Sequence, residues 1–192
     1  MCRFLSFIIL LASFAPTHSH AAEPEKASAF NPETVLLSHV TLTRPQHWQW
    51  VSTQPHEINV LMEVIFSVKD PQDPRSEATV CFNHMKPNTA IAAAGPTAHR
   101  WQTWFAEVRS AAPFSETKII GTNKLSFLEI TGTYKGPPTG SDPKLFTDYT
   151  MLGAHMEDGE GSIIVRFTGP TKLVEKNKAA FTGMIEQMLQ PK

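Results

Sequence analysis

Apolar residues recur along this 192-residue chain with two different periods, and the switches between them outline the fold. The stretch "VLLSHVTLTRPQHWQWV", residues 35–51, reads as a strand, a break at Arg44-Pro45 and a second strand. In that second strand a period of two places Trp48 and Trp50 on one face. "INVLMEVIFSVK" carries Val60, Met62, Val64 and Phe66 on one side with Leu61 and Ile65 on the other, the pattern of a strand covered on both faces. Asp70-Pro-Gln-Asp-Pro74 is a turn by composition, and "SEATVCFNHM" follows as another strand.

The period then changes. Residues 88–109 read as helical in two pieces, with Gly95-Pro96 between them and Thr97 placed to cap the second. Trp101, Trp104, Phe105 and Val108 fall at i, i+3, i+4 and i+7, one core-facing stripe of an amphipathic helix. Strands return in "ETKIIG" and "KLSFLEITGTYKG", joined across Gly121-Thr122-Asn123 as a hairpin. Residues 136–143 form a Gly/Pro-rich loop. "LFTDYTMLGAHM" and "GSIIVRFTG" then make a second hairpin around Glu157-Asp-Gly-Glu-Gly161. A last helix runs from about Pro170 to Leu189, with Phe181, Ile185, Met188 and Leu189 on its apolar face and Leu173 and Val174 nearer its start. Antiparallel strands need cover on both faces, and two amphipathic helices separated by four strands can supply it, which predicts an α+β domain.

The ends and the charge balance refine this picture. Residues 1–21 have a basic Arg3, an apolar run from Phe4 to Ala15 and small residues at Ser19-His20-Ala21, the layout of a secretory signal peptide cleaved after Ala21. That apolar run is shorter than the roughly 20 residues of a spanning helix. Residues 22–34, rich in Ala, Glu, Lys and Pro, read as a flexible N-terminus, and 35–192 as a single domain exported to the periplasm or beyond. The net charge of −1, one unit more negative without Arg3, gives no attraction to nucleic acid or to an anionic membrane. Only two cysteines are present, and Cys2 falls in the signal peptide, so the mature chain has no internal disulfide and depends on core packing. Cys81, in an apolar strand, reads as a buried thiol.

Three stretches carry candidate chemistry. Thr168-Gly169-Pro170 joins the last strand to a lysine-bearing helix, where free N–H groups could hold an anion. Pro170 has no N–H, however, and Gly169 would let the strand reverse, so the turn reads as punctuation, with Lys172, Lys176 and Lys178 on a solvated face. Cys81-Phe-Asn-His84-Met85 offers a thiolate, an imidazole and a thioether, the soft set of electron-transfer copper sites. Positions 81 and 84 of one strand point to opposite faces, which opposes their convergence. Glu157-Asp-Gly-Glu-Gly161 is acidic but lacks the alternating ligands of a calcium loop. The sequence contains no nucleophile elbow and no His-Glu-x-x-His helix.

"HRWQTWF", "SFLEITGTYKG" and "IIVRFTGPTKLVEKNKAAFTGMIEQML" together resemble exported bacterial proteins of the PsbP-like fold, which also includes a nuclear Ran-release factor. The resemblance spans roughly residues 40–190. It implies a central antiparallel sheet of about six strands between helices, an α/β/α sandwich, and a binding or assembly role instead of an enzymatic one. It carries over no functional residue, because neither the acidic Ran-binding surface nor the metal-linked N-terminal region is matched. The sequence therefore points to a non-enzymatic exported domain that binds a protein partner in the cell envelope, with no cofactor and no catalytic or metal residue assigned. The alternative is a small-ligand or metal (copper) binder using the stretch with Cys81, His84 and Met85 or a pocket near Trp101 and Trp104.

Overall fold

Two faces of one sheet collect most of the large apolar side chains, and each face has its own helix. The computed structural model describes residues 33–37, 40–54, 60–86, 93–121, 123–136, 144–158 and 161–189. The expected signal peptide, the helical piece before residue 93 and the loop at 137–143 lie outside the described residues.

The strands are β1 (Thr34–Leu37), β2 (Val40–Thr43), β3 (Gln49–Gln54), β4 (Val60–Lys69), β5 (Glu77–Met85), β6 (Phe105–Ile120), β7 (Asn123–Tyr134), β8 (Phe146–Asp158) and β9 (Gly161–Pro170). Helix α1 (Ala94–Gln102) precedes β6, and α2 (Thr171–Met188) follows β9. The main sheet runs β3-β4-β5-β9-β8-β7-β6, seven strands instead of about six, with every pairing antiparallel. The two hairpins expected in the second half are β6–β7 and β8–β9, and β9 inserts beside β5 to join the halves. The strand expected over residues 35–43 is instead two short strands, β1 and β2, paired with each other in a separate sheet.

Alternation along each strand divides the core. Val80 and Phe82 of β5, Ile163, Val165 and Phe167 of β9, and Leu152, Ala154 and Met156 of β8 meet α2 through Leu173, Val174, Phe181, Met184 and Ile185. Val40, Leu42 and Trp48 belong to this cluster, so the β1–β2 hairpin shares the α2 face. Ile164, Met151, Leu128 and Ile130 point the other way and pack with Trp101, Trp104 and Phe105. The result is an α/β/α sandwich. Among the described residues no helix is long and apolar enough to cross a membrane.

Helix α1 departs from the expected layout at both ends. Gly95-Pro96 lies inside its first turn, where a missing N–H breaks no helical bond. The N-cap is Ala93, and Thr97 is buried within the helix instead of capping it. At the other end the helix stops at Gln102, and residues 105–112 enter the edge strand β6. Trp101 and Trp104 are buried as the stripe required, but Val108 sits on that strand and is 43% exposed. Pairing with β7 overrides the local helical period there.

Thr168-Gly169-Pro170 also differs. The strand does not reverse at Gly169: Gly169 pairs with Thr150, Pro170 pairs with Tyr149, and Pro170 is the N-cap of α2. Glycine is required because a β-carbon would lie 2.3 Å from that of Ala78 on β5. The start of α2 is then held by hydroxyls. Thr131 and Thr150 meet at 3.1 Å, Thr150 and Thr171 at 3.0 Å, and Thr171 donates to the Asp148 carbonyl at 2.9 Å.

Asp148 is the one described non-glycine residue with positive φ, at 57°. Its carboxylate accepts from Arg109 of β6 at 2.8 Å, and this bond is the main cause that holds its pKa below the usual range. The lowered pKa stabilises the folded state above the unfolded carboxylate value, and that contribution disappears as pH falls through the lowered value. Arg109→Ala is therefore expected to reduce stability slightly near neutral pH and not at all in strong acid, as read from melting curves across pH. The effect is small because both side chains are about half exposed.

Candidate functional site

Helix α2 crosses the sheet without reaching the β6 edge, which leaves an open groove of about 280 Å³ between the helix and the β6–β7 hairpin. Phe127, Leu152 and Phe181 supply its apolar floor, and Ala112 of β6 and Thr182 of α2 also line it. The rim is charged. Lys118 of β6 reaches Glu186 of α2 at 2.7 Å, and Lys178 of α2 reaches Glu129 of β7 at 2.6 Å. The hydrogen bond to Glu129 is the main cause raising the Lys178 pKa, which keeps this rim lysine cationic at neutral pH. These pairs are partly exposed and add little stability, but they set the charge pattern that a bound segment would meet.

The opposite face has a different character. Arg166 projects from β9 between Ile164 and Thr168, beside Cys81 on β5 and Gly153 on β8. Its guanidinium lies 5.4 Å from the centre of the Trp104 ring and donates to Asn83 Oδ1 at 3.3 Å. Arg100 lies on α1, and its pKa is lowered first by burial and then by the charge of Arg166. Tyr134 is also near: burial raises its pKa, while Arg166 opposes the rise. Tyr134 stacks on Tyr149 at 5.8 Å with planes 7° apart, and Phe105 meets Tyr134 edge-on at 5.4 Å. The edge of the Trp101 ring meets Gly153, where a β-carbon would come within 2.2 Å of Cζ3.

The sequence candidates fall as follows. Cys81 is a buried thiol outside any disulfide, as its apolar strand implied. Met85 joins the α1-face cluster, and Cys81 pairs with Arg166 on that face. His84 pairs with Ile163, which belongs to the α2-face cluster. The strand thus holds His84 on one face and Cys81 and Met85 on the other, and one ion cannot bind all three. Among the described residues no group of three or more His, Cys, Asp and Glu could hold a metal. Lys178 belongs to the groove rim, while Lys176 lies 3.7 Å from Asp70.

The sequence reading gave Arg100 and Arg166 no role, and of the groove residues it considered only Lys178, on a solvated face, and Phe181, on the apolar face of the last helix. Arg166 had a signal: it is the lone charge inside "SIIVRFTG", on the same side as Ile164 and Thr168 by a period of two. The groove had none, because it is made by residues far apart in the chain, Lys118 with Glu186 and Lys178 with Glu129, that meet only once the last helix lies on the sheet.

An α/β/α sandwich with a seven-stranded antiparallel sheet is the class these observations define. No family model matches the chain, and no curated protein matches it either. Among solved structures, the chain is similar to a Pseudomonas aeruginosa protein of unknown function, with 12% identity, a TM-score of 0.46 and coverage of 83% of this chain and 96% of that one. It is also similar to cyanobacterial PsbP from Synechocystis sp. PCC 6803, with 15% identity, a TM-score of 0.44 and coverage of 76% and 82%.

Proposed function

We propose that this chain is a non-enzymatic exported binding domain, and that it receives an apolar segment of a cell-envelope protein in the groove between α2 and the β6–β7 hairpin. The observation that carries the reading is the groove itself, an aromatic and aliphatic floor left open beside a helix whose remaining apolar face is covered. Apolar floors with a polar rim are the usual anatomy of a protein interface, where a few buried side chains supply affinity and the rim sets register. The alternating lysine and glutamate pairs suit a segment carrying both signs of charge beside its apolar residues.

Thr182→Trp, which fills the groove from its α2 side without touching the core, is expected to abolish recovery of the partner after crosslinking in the native envelope. The native protein and Val108→Thr, changed on the other face, retain it. Equal recovery with Thr182→Trp would contradict the assignment.

A further inference from the structure

Two ion pairs tie α2 to the sheet, one toward each end of the groove. Lys178 and Glu186 lie about 12 Å apart along the axis of α2, with Phe181 and Thr182 between them. On the sheet, Lys118 of β6 sits opposite Leu125 of β7, and Leu125, Phe127 and Glu129 share one face of that strand by its period of two. The Lys118 position and Glu129 are therefore about 14 Å apart. The two spacings agree, so the pairs stand as rungs between helix and sheet with the apolar floor between them. We propose that these rungs select the segment that enters the groove: an apolar stretch about 12 Å long, flanked at each end by a residue of each sign, whose charges exchange with those of the rungs. This inference rests on the groove reading above and adds the spacing and the charges that the partner must carry.

The rungs are suited to exchange. Their side chains are between 34% and 47% exposed, so solvent weakens each pair and replacing it costs little. Lys118 also reaches the floor, with its Nζ 6.0 Å from the centre of the Phe127 ring, so a side chain seated on that ring competes with the lysine for it. A segment without charges would bury both pairs under an apolar surface, and desolvated pairs are unfavourable unless further polar partners are supplied. The polarity of the rungs excludes another class. At the Lys178 end the cation is on the helix and the anion on the sheet, and at the Glu186 end the order is reversed. A run of lysines or a run of acids therefore meets a like charge on each wall of the groove.

The test reverses the rungs and leaves the apolar floor alone. A photoreactive residue at position 182 is irradiated in the native envelope with the native rungs, with Glu129→Lys and Lys178→Glu together, with Lys118→Glu and Glu186→Lys together, and with all four changes. Each exchange restores an opposite pair in the same place, so the melting temperature is expected to stay within about 4 °C of the native value. The adduct at position 182 is expected to fall several-fold with either rung reversed and about tenfold or more with both, because the charges of the segment then face like charges. Glu129→Gln with Lys178→Gln, which introduces no new charge, keeps the test open if a reversed protein melts lower. It is expected to reduce the adduct by less than reversal of the same rung, since attraction is lost without repulsion. Undiminished adduct in the reversed and neutral variants would overturn this inference and leave the groove reading in place. No adduct from the native rungs would overturn both.

Discussion

Trp48→Ala is expected to lower stability by about 3–5 kcal/mol, the range for deleting a large aromatic side chain from a core. Trp48 has no exposed surface, and its ring lies 6.2 Å from Phe66 and 5.5 Å from Phe167. It also holds the chain between the β1–β2 hairpin and the main sheet. Its indole N–H donates to Asn177 Oδ1 at 3.4 Å, the same oxygen contacts His47 Nε2 at 2.6 Å, and Arg44 donates to the Trp48 carbonyl. Asn177 is buried on α2 and anchors itself by donating to the Leu173 carbonyl at 2.9 Å. The alanine variant therefore loses packing on the sheet and the bridge to α2 at once. Thermal unfolding checks this, with a fall of roughly 10 °C or more for a domain of this size. Trp48→Phe, which keeps a ring but removes the weak N–H bond, should cost about 1–2 kcal/mol. A loss below about 1 kcal/mol for the alanine variant would mean that this segment does not share the α2-face core.

Gly153→Ala is the second large effect, and it acts on the other face. The added carbon would lie 2.2 Å from Cζ3 of Trp101, closer than real contacts allow. Trp101 is 1% exposed and enclosed by Met85, Met151 and Ile164, so the ring has no free space to enter. The helix must lift instead. Overpacking of this kind typically costs 1–3 kcal/mol, and the enclosed ring places the variant at about 3. Hydrogen exchange separates this from a general loss of stability: amides of residues 97–102 should lose protection before those of β8 and β9. Combining Gly153→Ala with Trp101→Leu is expected to recover part of the loss, because the colliding ring is gone. If the double variant were merely additive, the steric contact would not be the cause.

Much of this architecture was legible in the chain. The period of two in "GSIIVRFTG" and "LFTDYTMLGAHM" gave β8 and β9, and the spacing of Phe181, Ile185 and Met188 gave the buried face of α2. The failures have identifiable physics. Residues 105–109 keep a helical spacing of Phe105 and Val108 relative to Trp101, but the chain is claimed by β7, whose Gly132 admits the Glu107 carbonyl at a distance no side chain would permit. A β-carbon at Gly132 would meet that oxygen at 1.9 Å, and this long-range requirement leaves no mark near residue 107. Gly169 misled for the same reason, since its role is close approach to Ala78 and not a turn. The strand over residues 35–43 split because pairing between Thr34 and Thr43 needs a reversal that composition alone did not signal. The candidate groove could not be read directly. Lys118, Glu186, Lys178 and Glu129 meet around it only after the helix is laid on the sheet.

The account turns on whether the groove is occupied by a partner. The most direct measurement places a photoreactive residue at Thr182, inside the groove, and in a parallel sample at Val108, on the other face, followed by irradiation in the native envelope. The account predicts one discrete adduct from position 182, formed through an apolar segment of a single protein, and none from position 108. The same adducts from both positions, or none from position 182, would contradict it.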